Sequence, residues 1–342
     1  MASADPGLSR LPVAFRVGDL AVRRRVLAAP MCGTSKPPYR RLACRYGADI
    51  AFTEMVKAHL LVAGCSRTWD LLAREDGERA LGAQICGADE DVLARAAAAL
   101  EASGFLLVDI NMGCPVRKVV RSGAGAALLR DPRRVEAVVR ACVRAVSVPV
   151  SVKLRSGWRH KGHAEADELA RAAEQGGAAL ITIHGRPRDR RHAGAVDLDG
   201  IRRAKASVRV PVVGNGGIAS PGDALRMLGA TGCDAVMIGR GAHGRPWLFR
   251  DVARAIAGLP SLPPPGPAER AGVVAEHLEG LLEQLGPRGV LLFRKAAGWY
   301  FQGSAAADDF RARAHRIGSA AEMRGLVAEW RRHLLEEARL GV

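Results

Sequence analysis

Cys114 is the residue that first suggests chemistry, because it lies where an apolar run turns into a loop of unusual composition. The segment DINMGCP, residues 109–115, ends with a glycine, the cysteine and a proline. A cysteine at such a place is either a buried packing residue, which is common, or a thiol that takes part in a reaction. The segment by itself leaves both interpretations open.

Polar or conformationally special residues end the other short apolar runs of the sequence in the same way. Gln84 offers an amide donor and acceptor suited to the imide edge of a flavin or a pyrimidine. Lys153 is either an ordinary surface lysine or a residue that brings positive charge to a bound anion or ring. His184 is either structural or part of a site. The complete set is Pro30–Met31, Glu54, Gln84, Asn111, Lys153, His184, Asn215 and Gly239–Arg240.

Two glycine-rich segments, GNGGIASPGDA (214–224) and GRGAHGRPW (239–247), follow the last two apolar runs. Glycine lets a backbone approach a ligand closely. Backbone N–H groups at a helix start bind phosphate, and barrels commonly place such loops after strands seven and eight. The pair therefore predicts a phosphorylated cofactor or substrate.

The elements that would position these residues are eight short apolar runs that alternate with helical patterns. The patterns at 89–103, 132–146 and 220–232 carry Asp89 as a cap, Pro132 in the first turn, and Ser220 as a cap with a glycine end. This alternation predicts a (β/α)₈ barrel with the polar residues on one rim; a doubly wound sheet is the alternative. The runs are 26–31, 50–55, 81–85, 106–111, 148–154, 179–184, 210–215 and 234–239.

The chain divides at a proline-rich stretch, GLPSLPPPGP, which reads as a linker at 258–267. Residues 1–257 form the predicted barrel domain. Residues 268–342 have helical periodicity with almost no strand signal, so they are predicted to form an all-helical domain.

Composition limits the kinds of binding partner and the cellular compartment that can be expected. The formal net charge is +16, of which +15 lies in residues 1–265; this indicates either a solubilising arginine-rich surface or a polyanionic partner. Seven cysteines with no C-x-x-C pair disfavour a zinc or iron–sulfur site, so no metal is expected, and their odd number suits the reducing cytoplasm. Neither a signal peptide nor a membrane-spanning run is recognised, so no membrane association is expected.

Taken together, the motifs resemble those of the tRNA-dihydrouridine synthases, most closely the bacterial B-type subgroup. The resemblance runs from about Val26 to the C-terminal helices, and the combination is specific although no single motif is. The motifs are APM (29–31), NMGCP with RK behind it (111–118), VKLRSGW (152–158), IHGR (183–186), GNGGI (214–218), IGRGAHGRPWLF (238–249) and FRKAAGWY (293–300).

The resemblance implies an FMN-bound barrel that reduces the C5=C6 bond of uridines in the D-loop of tRNA, with NADPH as electron donor and no stable protein partner. It implies that Cys114 is the catalytic proton donor. It places cofactor contacts at Pro30, Met31, Cys32, Gln84, Lys153, His184, Asn215, Gly216, Gly217, Gly239 and Arg240, and substrate contacts at Asn111, Arg155, Arg186, Arg294 and Lys295. The chain departs from the family pattern at Gly217, where an aspartate is usual, and at Ala296, where a histidine is usual.

Two other classes of function are compatible with parts of the sequence. A flavin barrel acting on a small pyrimidine, similar to dihydroorotate dehydrogenase, would use the same loops and Cys114. It would leave the helical domain and the basic segments 117–121, 155–163 and 186–192, which follow strand ends, without a role. A non-catalytic RNA-binding or chaperone protein would use the charge alone, and it would be colourless when purified.

Overall fold

A parallel barrel forms most of the chain, and the computed structural model describes residues 5–78, 80–159, 165–302 and 306–340. The strands in chain order are β1 Phe15–Val17, β2 Leu20–Val22, β3 Val26–Ala28, β4 Ala51–Phe52, β5 Val56–Lys57, β6 Leu81–Cys86, β7 Val108–Met112, β8 Val150–Arg155, β9 Leu180–His184, β10 Val212–Asn215 and β11 Ala235–Ile238. The eight predicted runs correspond to β3, β4 and β6 to β11.

These eight strands close on themselves. Each strand from β6 to β11 pairs in parallel with the next one along the chain, and β4 pairs with β6. β11 pairs in parallel with β3, and the N–H of Ala28 donates to the carbonyl of Ile50, just before β4, at 2.9 Å. The predicted (β/α)₈ barrel is therefore confirmed.

Helices follow the strands, and the three predicted helical patterns form where expected. Asp89 accepts the N–H of Val92 at the start of one helix, Pro132 opens another, and Ser220 caps a third that ends at Gly232 with φ +67°. The helices are α1 Pro6–Ser9, α2 Pro37–Arg45, α3 Ala58–Val62, α4 Ser66–Asp70, α5 Glu90–Ala102, α6 Arg117–Arg121, α7 Pro132–Ala145, α8 Ala166–Gln175, α9 Leu198–Ser207, α10 Pro221–Thr231, α11 Leu248–Ile256, α12 Pro267–Leu285, α13 Gly289–Tyr300, α14 Ala307–Arg316 and α15 Ala320–Leu340.

The first two barrel strands are shorter than the predicted runs 26–31 and 50–55. The N–H of Ala29 still donates to the carbonyl of Ile238 on β11, but beyond it the chain leaves the sheet and its polar groups find partners within a loop. Ser35 Oγ accepts the N–H of Met31 at 2.9 Å and donates to the carbonyl of Ala29 at 3.1 Å. Residues 29–36 therefore form a fixed loop at the rim.

A hairpin that was not predicted, β1 with β2, covers the N-terminal end of the barrel. Val17, Leu20 and Val22 are buried in one cluster with residues from inside the barrel, among them Leu180 and Val213. The hairpin closes the interior on the side opposite the carboxyl ends of the strands.

The helices from α12 onward pack on the barrel through α2. Glu276 on α12 accepts from Arg41 at 3.3 Å and from Arg45 at 2.5 Å, and Tyr46 donates to Glu269 at 2.8 Å. Apolar residues of both parts belong to one continuous core. Residues 257–266, between α11 and α12, are not helical, and α12 begins at Pro267, the last residue of the predicted linker.

None of the helices in the described parts of the chain is long and apolar enough to cross a membrane. Within the same residues, no group of three or more His, Cys, Asp or Glu side chains could hold a metal ion.

Candidate active site

A cavity of about 700 Å³ opens at the carboxyl ends of the barrel strands. With one exception, Arg294, all the residues predicted for the site line it, although they come from seven strand ends and from α13. They are Pro30, Met31, Cys32, Gln84, Asn111, Cys114, Lys153, Arg155, His184, Arg186, Asn215, Gly216, Gly217, Gly239, Arg240 and Lys295.

A chain of hydrogen bonds supports the wall that contains Gln84. Its Nε2 donates to Asp109 at 2.6 Å, and its Oε1 accepts from Asn111 Nδ2 at 2.8 Å. Ser151 Oγ donates to the other oxygen of Asp109, also at 2.6 Å. Burial raises the pKa of the Asp109 carboxyl to about 6, against the lowering effect of these two donors. The amide of Gln84 is therefore held in one orientation at the cavity floor.

Cys114 is held in place by its backbone. Its N–H donates to Asn111 Oδ1 at 2.9 Å, and its carbonyl accepts from the N–H of Ala126 at 3.1 Å. A Cβ on Gly125 would lie 3.0 Å from that carbonyl oxygen, so the following turn packs directly on the cysteine. Burial raises the pKa of the half-buried Cys114 thiol above its usual value, so the thiol is protonated at neutral pH.

Lys153 lies across the cavity floor, where its Nζ donates to Asn215 Oδ1 at 2.9 Å. Asn215 is fixed in turn by its Nδ2, which donates to the carbonyl of Met237 at 2.7 Å. Burial, with Arg155 nearby, lowers the pKa of Lys153 to about 8, although Asp109 opposes the shift. At neutral pH the partly buried lysine therefore carries a positive charge that is available to an anionic ligand.

The two glycine-rich loops lie side by side and leave backbone donors free. Gly216 has φ +115°, and a Cβ there would lie 2.8 Å from the His184 ring. A Cβ on Gly241 would lie 2.0 Å from the carbonyl oxygen of Ile218 in the other loop. Among the described residues, no protein acceptor is found for the N–H groups of Gly216 and Arg240. Such a pair of loops is suited to bind a phosphate.

The cavity is strongly electropositive. Arg186, Arg240 and Arg245 line it, and no carboxylate is found among its described lining residues. Burial, followed by the nearby lysine and arginines, lowers the pKa of His184 far below its usual value, and the same causes lower that of His192 to about 4. Both imidazoles are therefore neutral at pH 7, and the remaining cations favour an anionic ligand.

Arg155, predicted to contact substrate, also holds two loops together. Its guanidinium donates to the carbonyl of Gly113 at 2.7 Å and to that of Arg191 at 2.6 Å. Nearby, the guanidinium carbons of Arg130 and Arg188 lie over the Trp158 ring, 4.0 and 4.3 Å from its centroid. The loop that carries Cys114 and the basic loop at 186–192 are therefore both anchored to the Arg155 side chain.

The helical region reaches the cavity with Lys295 but not with Arg294. The Arg294 guanidinium donates to the carbonyl of Ile317 at 2.7 Å, within the helical region. Lys295 lines the cavity, and its Nζ lies 5.3 Å from the centroid of the Trp299 ring. Trp299 stacks at 3.7 Å on His243, a cavity residue of the second glycine-rich loop. The helices and the loop are therefore joined at the site.

Several residues of the site were not predicted. Asp109 lies in the same DINMGCP segment as Cys114, and an aspartate inside an otherwise apolar strand was the available signal. His192, His243 and Arg245 lie in loops, where no periodicity indicates which side chains turn toward the cavity.

Comparison with known proteins identifies the family. The family described as "Dihydrouridine synthase (Dus)" matches residues 26–338. The chain is 39% identical over 303 residues to tRNA-dihydrouridine synthase B of Xanthomonas axonopodis pv. citri, which covers 88% of this chain and 91% of the relative. The protein of the same name from Escherichia coli K12 is 38% identical over 90% of this chain and 96% of its own length.

The fold has a counterpart among solved structures. Histamine dehydrogenase from Rhizobium sp. 4-9 superposes with a TM-score of 0.55 at 13% identity, over 97% of this chain and 65% of that one. At this identity the likeness concerns the fold alone. The family match and the relatives cover nearly the whole barrel and helical region, so the chain belongs to the dihydrouridine synthase family.

Proposed function

We propose that the protein is an FMN-dependent tRNA-dihydrouridine synthase of the cytoplasm, which reduces the C5=C6 bond of specific uridines in the tRNA D-loop with NADPH as electron donor. The observation that carries this proposal is the convergence of a protonated thiol, a fixed amide and a partly buried lysine on one electropositive cavity. The relatives named tRNA-dihydrouridine synthase B support the choice of substrate.

The cavity residues fit a flavin mononucleotide. The free N–H groups of Gly216 and Arg240 would hold the phosphate, with the Arg240 guanidinium beside them. Gln84 has one N–H and one lone pair left over after its protein hydrogen bonds, which suits the imide edge of the flavin ring. Lys153 would place its charge next to that ring.

A reduced flavin held by these residues would supply a hydride to carbon 6 of the uracil. Negative charge would then develop on the uracil carbonyl and at carbon 5. Asn111 and Arg155 line the cavity and contact the backbone of Gly113 and Cys114, so they would supply N–H donors for that carbonyl. The Cys114 thiol gives its proton to carbon 5, and its raised pKa keeps the proton available at neutral pH.

The mouth of the cavity suits a folded RNA. The target uridine must leave its stack to reach the barrel, which costs a few kcal/mol and less for a loop base. Arg117, Lys118 and Arg121 on α6 are exposed immediately beyond the thiol loop. They would meet RNA phosphates while the extruded base occupies the cavity.

The proposal is tested by incubating purified protein with tRNA from a strain that lacks this modification. We expect a yellow protein, and dihydrouridine in the D-loop when NADPH is added. A yellow protein that reduces a free pyrimidine but not tRNA would replace the proposal with the small-molecule alternative. A colourless protein that binds tRNA without altering it would replace it with a non-catalytic function.

Lys153→Ala is expected to weaken FMN binding by roughly 10- to 100-fold, since a hydrogen bond to a charged group is worth about 1.5–3 kcal/mol. The native pKa of about 8 lies below the usual value, so the charge is present below pH 8 and is lost above it. Wild-type affinity should therefore fall as the pH rises from 7 to 9, and the affinity of the variant should change less.

Fluorescence titration of flavin-free protein measures this effect across the pH series. Arg202→Ala is the matched control, because it removes one positive charge from the exposed surface of α9. An unchanged affinity in Lys153→Ala, or an equal loss in the control, would contradict the assigned flavin pocket.

Replacing Arg117, Lys118 and Arg121 together with alanine is expected to weaken tRNA binding and to reduce the salt dependence of binding by about two to three charges. The control replaces Arg10, Arg16 and Arg23, which lie around the hairpin at the opposite end of the barrel. Equal salt dependence in the two triple variants would mean that α6 does not contact the RNA.

A further inference from the structure

We propose that Asp109, which does not line the cavity, is a positioning residue that fixes the direction of every hydrogen bond from the barrel interior to the Cys114 loop. The inference rests on the proposed function for its catalytic meaning. The hydrogen bonds on which it is based involve only atoms of this protein.

The chain of hydrogen bonds starts at a carboxylate that can only accept. Asp109 and Ser151 are buried, 1% and 0% exposed. Ser151 Oγ donates to one Asp109 oxygen and Gln84 Nε2 donates to the other, both at 2.6 Å. Because an ionised carboxylate has no proton to give, it forces Gln84 to point its NH₂ group inward.

That orientation determines the next two links. With its NH₂ group inward, Gln84 presents Oε1 to Asn111, whose Nδ2 donates to it at 2.8 Å. Asn111 must then turn Oδ1 the other way, where it accepts the N–H groups of Gly113 and Cys114 at 3.2 and 2.9 Å. Reversing one amide would set donor against donor in a buried place, which is costly.

The consequence is that one carboxylate orients both halves of the site. It determines which atoms Gln84 offers to the cavity. It also determines whether the backbone N–H groups of Gly113 and Cys114 have an acceptor. The Gln84 amide, which would contact the flavin, and the loop that carries the Cys114 thiol are therefore oriented by the same buried carboxylate.

Asp109→Leu tests this direction, because it keeps a similar volume and removes both acceptor oxygens. We expect Gln84 to lose its fixed orientation and Asn111 to lose it in turn, so that the N–H of Cys114 no longer has a steady acceptor. Hydrogen exchange of full-length, flavin-free protein should then be at least about tenfold faster in peptides covering 113–116. FMN affinity should fall as well.

A second substitution reverses the chain on purpose. In the double variant Asp109→Asn/Gln84→Glu, the new NH₂ group at 109 donates to a carboxylate at 84, whose other oxygen accepts from Asn111. Slow exchange at Cys114 should return. FMN affinity should stay low, because a glutamate offers the ring no donor.

Ser151→Ala is the matched control. It removes one hydrogen bond to the same carboxylate without adding a donor, so exchange at 113–116 should stay within about twofold of wild type. This control distinguishes the loss of one hydrogen bond in the barrel interior from the loss of the group that sets the direction of the hydrogen bonds.

Wild-type exchange in Asp109→Leu, or fast exchange in the double variant, would overturn the proposal. If Asp109→Leu does not fold, folding of the double variant supports the proposal and failure of both overturns it. Hydrogen exchange is measured without cofactor, so its outcome does not depend on the proposed function. Absence of dihydrouridine synthesis by the wild-type protein would reject the proposed function but would not affect the conclusion about Asp109.

Discussion

Cys114→Ala is expected to lower the rate of dihydrouridine formation by about 10²- to 10⁴-fold, the usual contribution of a positioned general acid. The substitution removes the thiol proton that carbon 5 of the uracil needs. It keeps the backbone N–H that Asn111 accepts, so the loop should retain its shape. FMN and tRNA affinities should therefore stay within about threefold of wild type.

The measurement is a single-turnover reaction of pre-reduced protein with unmodified tRNA at neutral pH. Cys65→Ala serves as the control, because Cys65 is also a partly exposed free thiol but does not line the cavity. Near wild-type turnover by the Cys114 variant would exclude this thiol from proton transfer.

Gly244→Ala is expected to cost about 2–5 kcal/mol of unfolding free energy and to weaken FMN binding more than about tenfold. A Cβ at Gly244 would lie 2.1 Å from the carbonyl oxygen of Trp299, and φ is +71°. Because that oxygen belongs to the backbone of α13, the helix and the loop that carries Gly244 must move apart. The stack of Trp299 on His243 would open, and Lys295 would leave the cavity.

Gly258→Ala is the control for this prediction. Its φ is +66°, nearly the same, but no atom lies within 4 Å of the added Cβ. It should show only the backbone strain, about 1–2 kcal/mol, and unchanged FMN affinity. Chemical denaturation and flavin titration of both variants measure the difference, and equal effects would mean that α13 does not hold the loop.

The barrel could be predicted from the sequence because a strand covered on both faces leaves a run of apolar residues, and eight such runs alternate with helices. The hairpin β1–β2 was missed although FRVGDLAV has alternating apolar residues around a Gly-Asp turn. Three-residue strands give too short a signal, and their burial depends on the barrel end that they cover, which local sequence does not reveal.

The site could be predicted as a set of residues but not as a set of roles. Strand ends converge in any such barrel, so Gln84, Lys153 and Cys114 were bound to meet. The sequence could not show that Arg294 would turn to the carbonyl of Ile317, because helix position does not fix the direction of a long side chain. Nor could it show that Arg155 would donate to two loops at once.

The hairpin also has a consequence for biosynthesis. Its buried residues Val17, Leu20 and Val22 leave the ribosome before any barrel strand, yet they belong to one buried cluster with Val213 and Ala235 of the last two barrel strands. β3 likewise finds β11 as its neighbour only when the eighth barrel strand has appeared. A nascent or prematurely terminated chain therefore exposes an apolar hairpin and an open sheet edge, the surfaces that chaperones and proteases recognise.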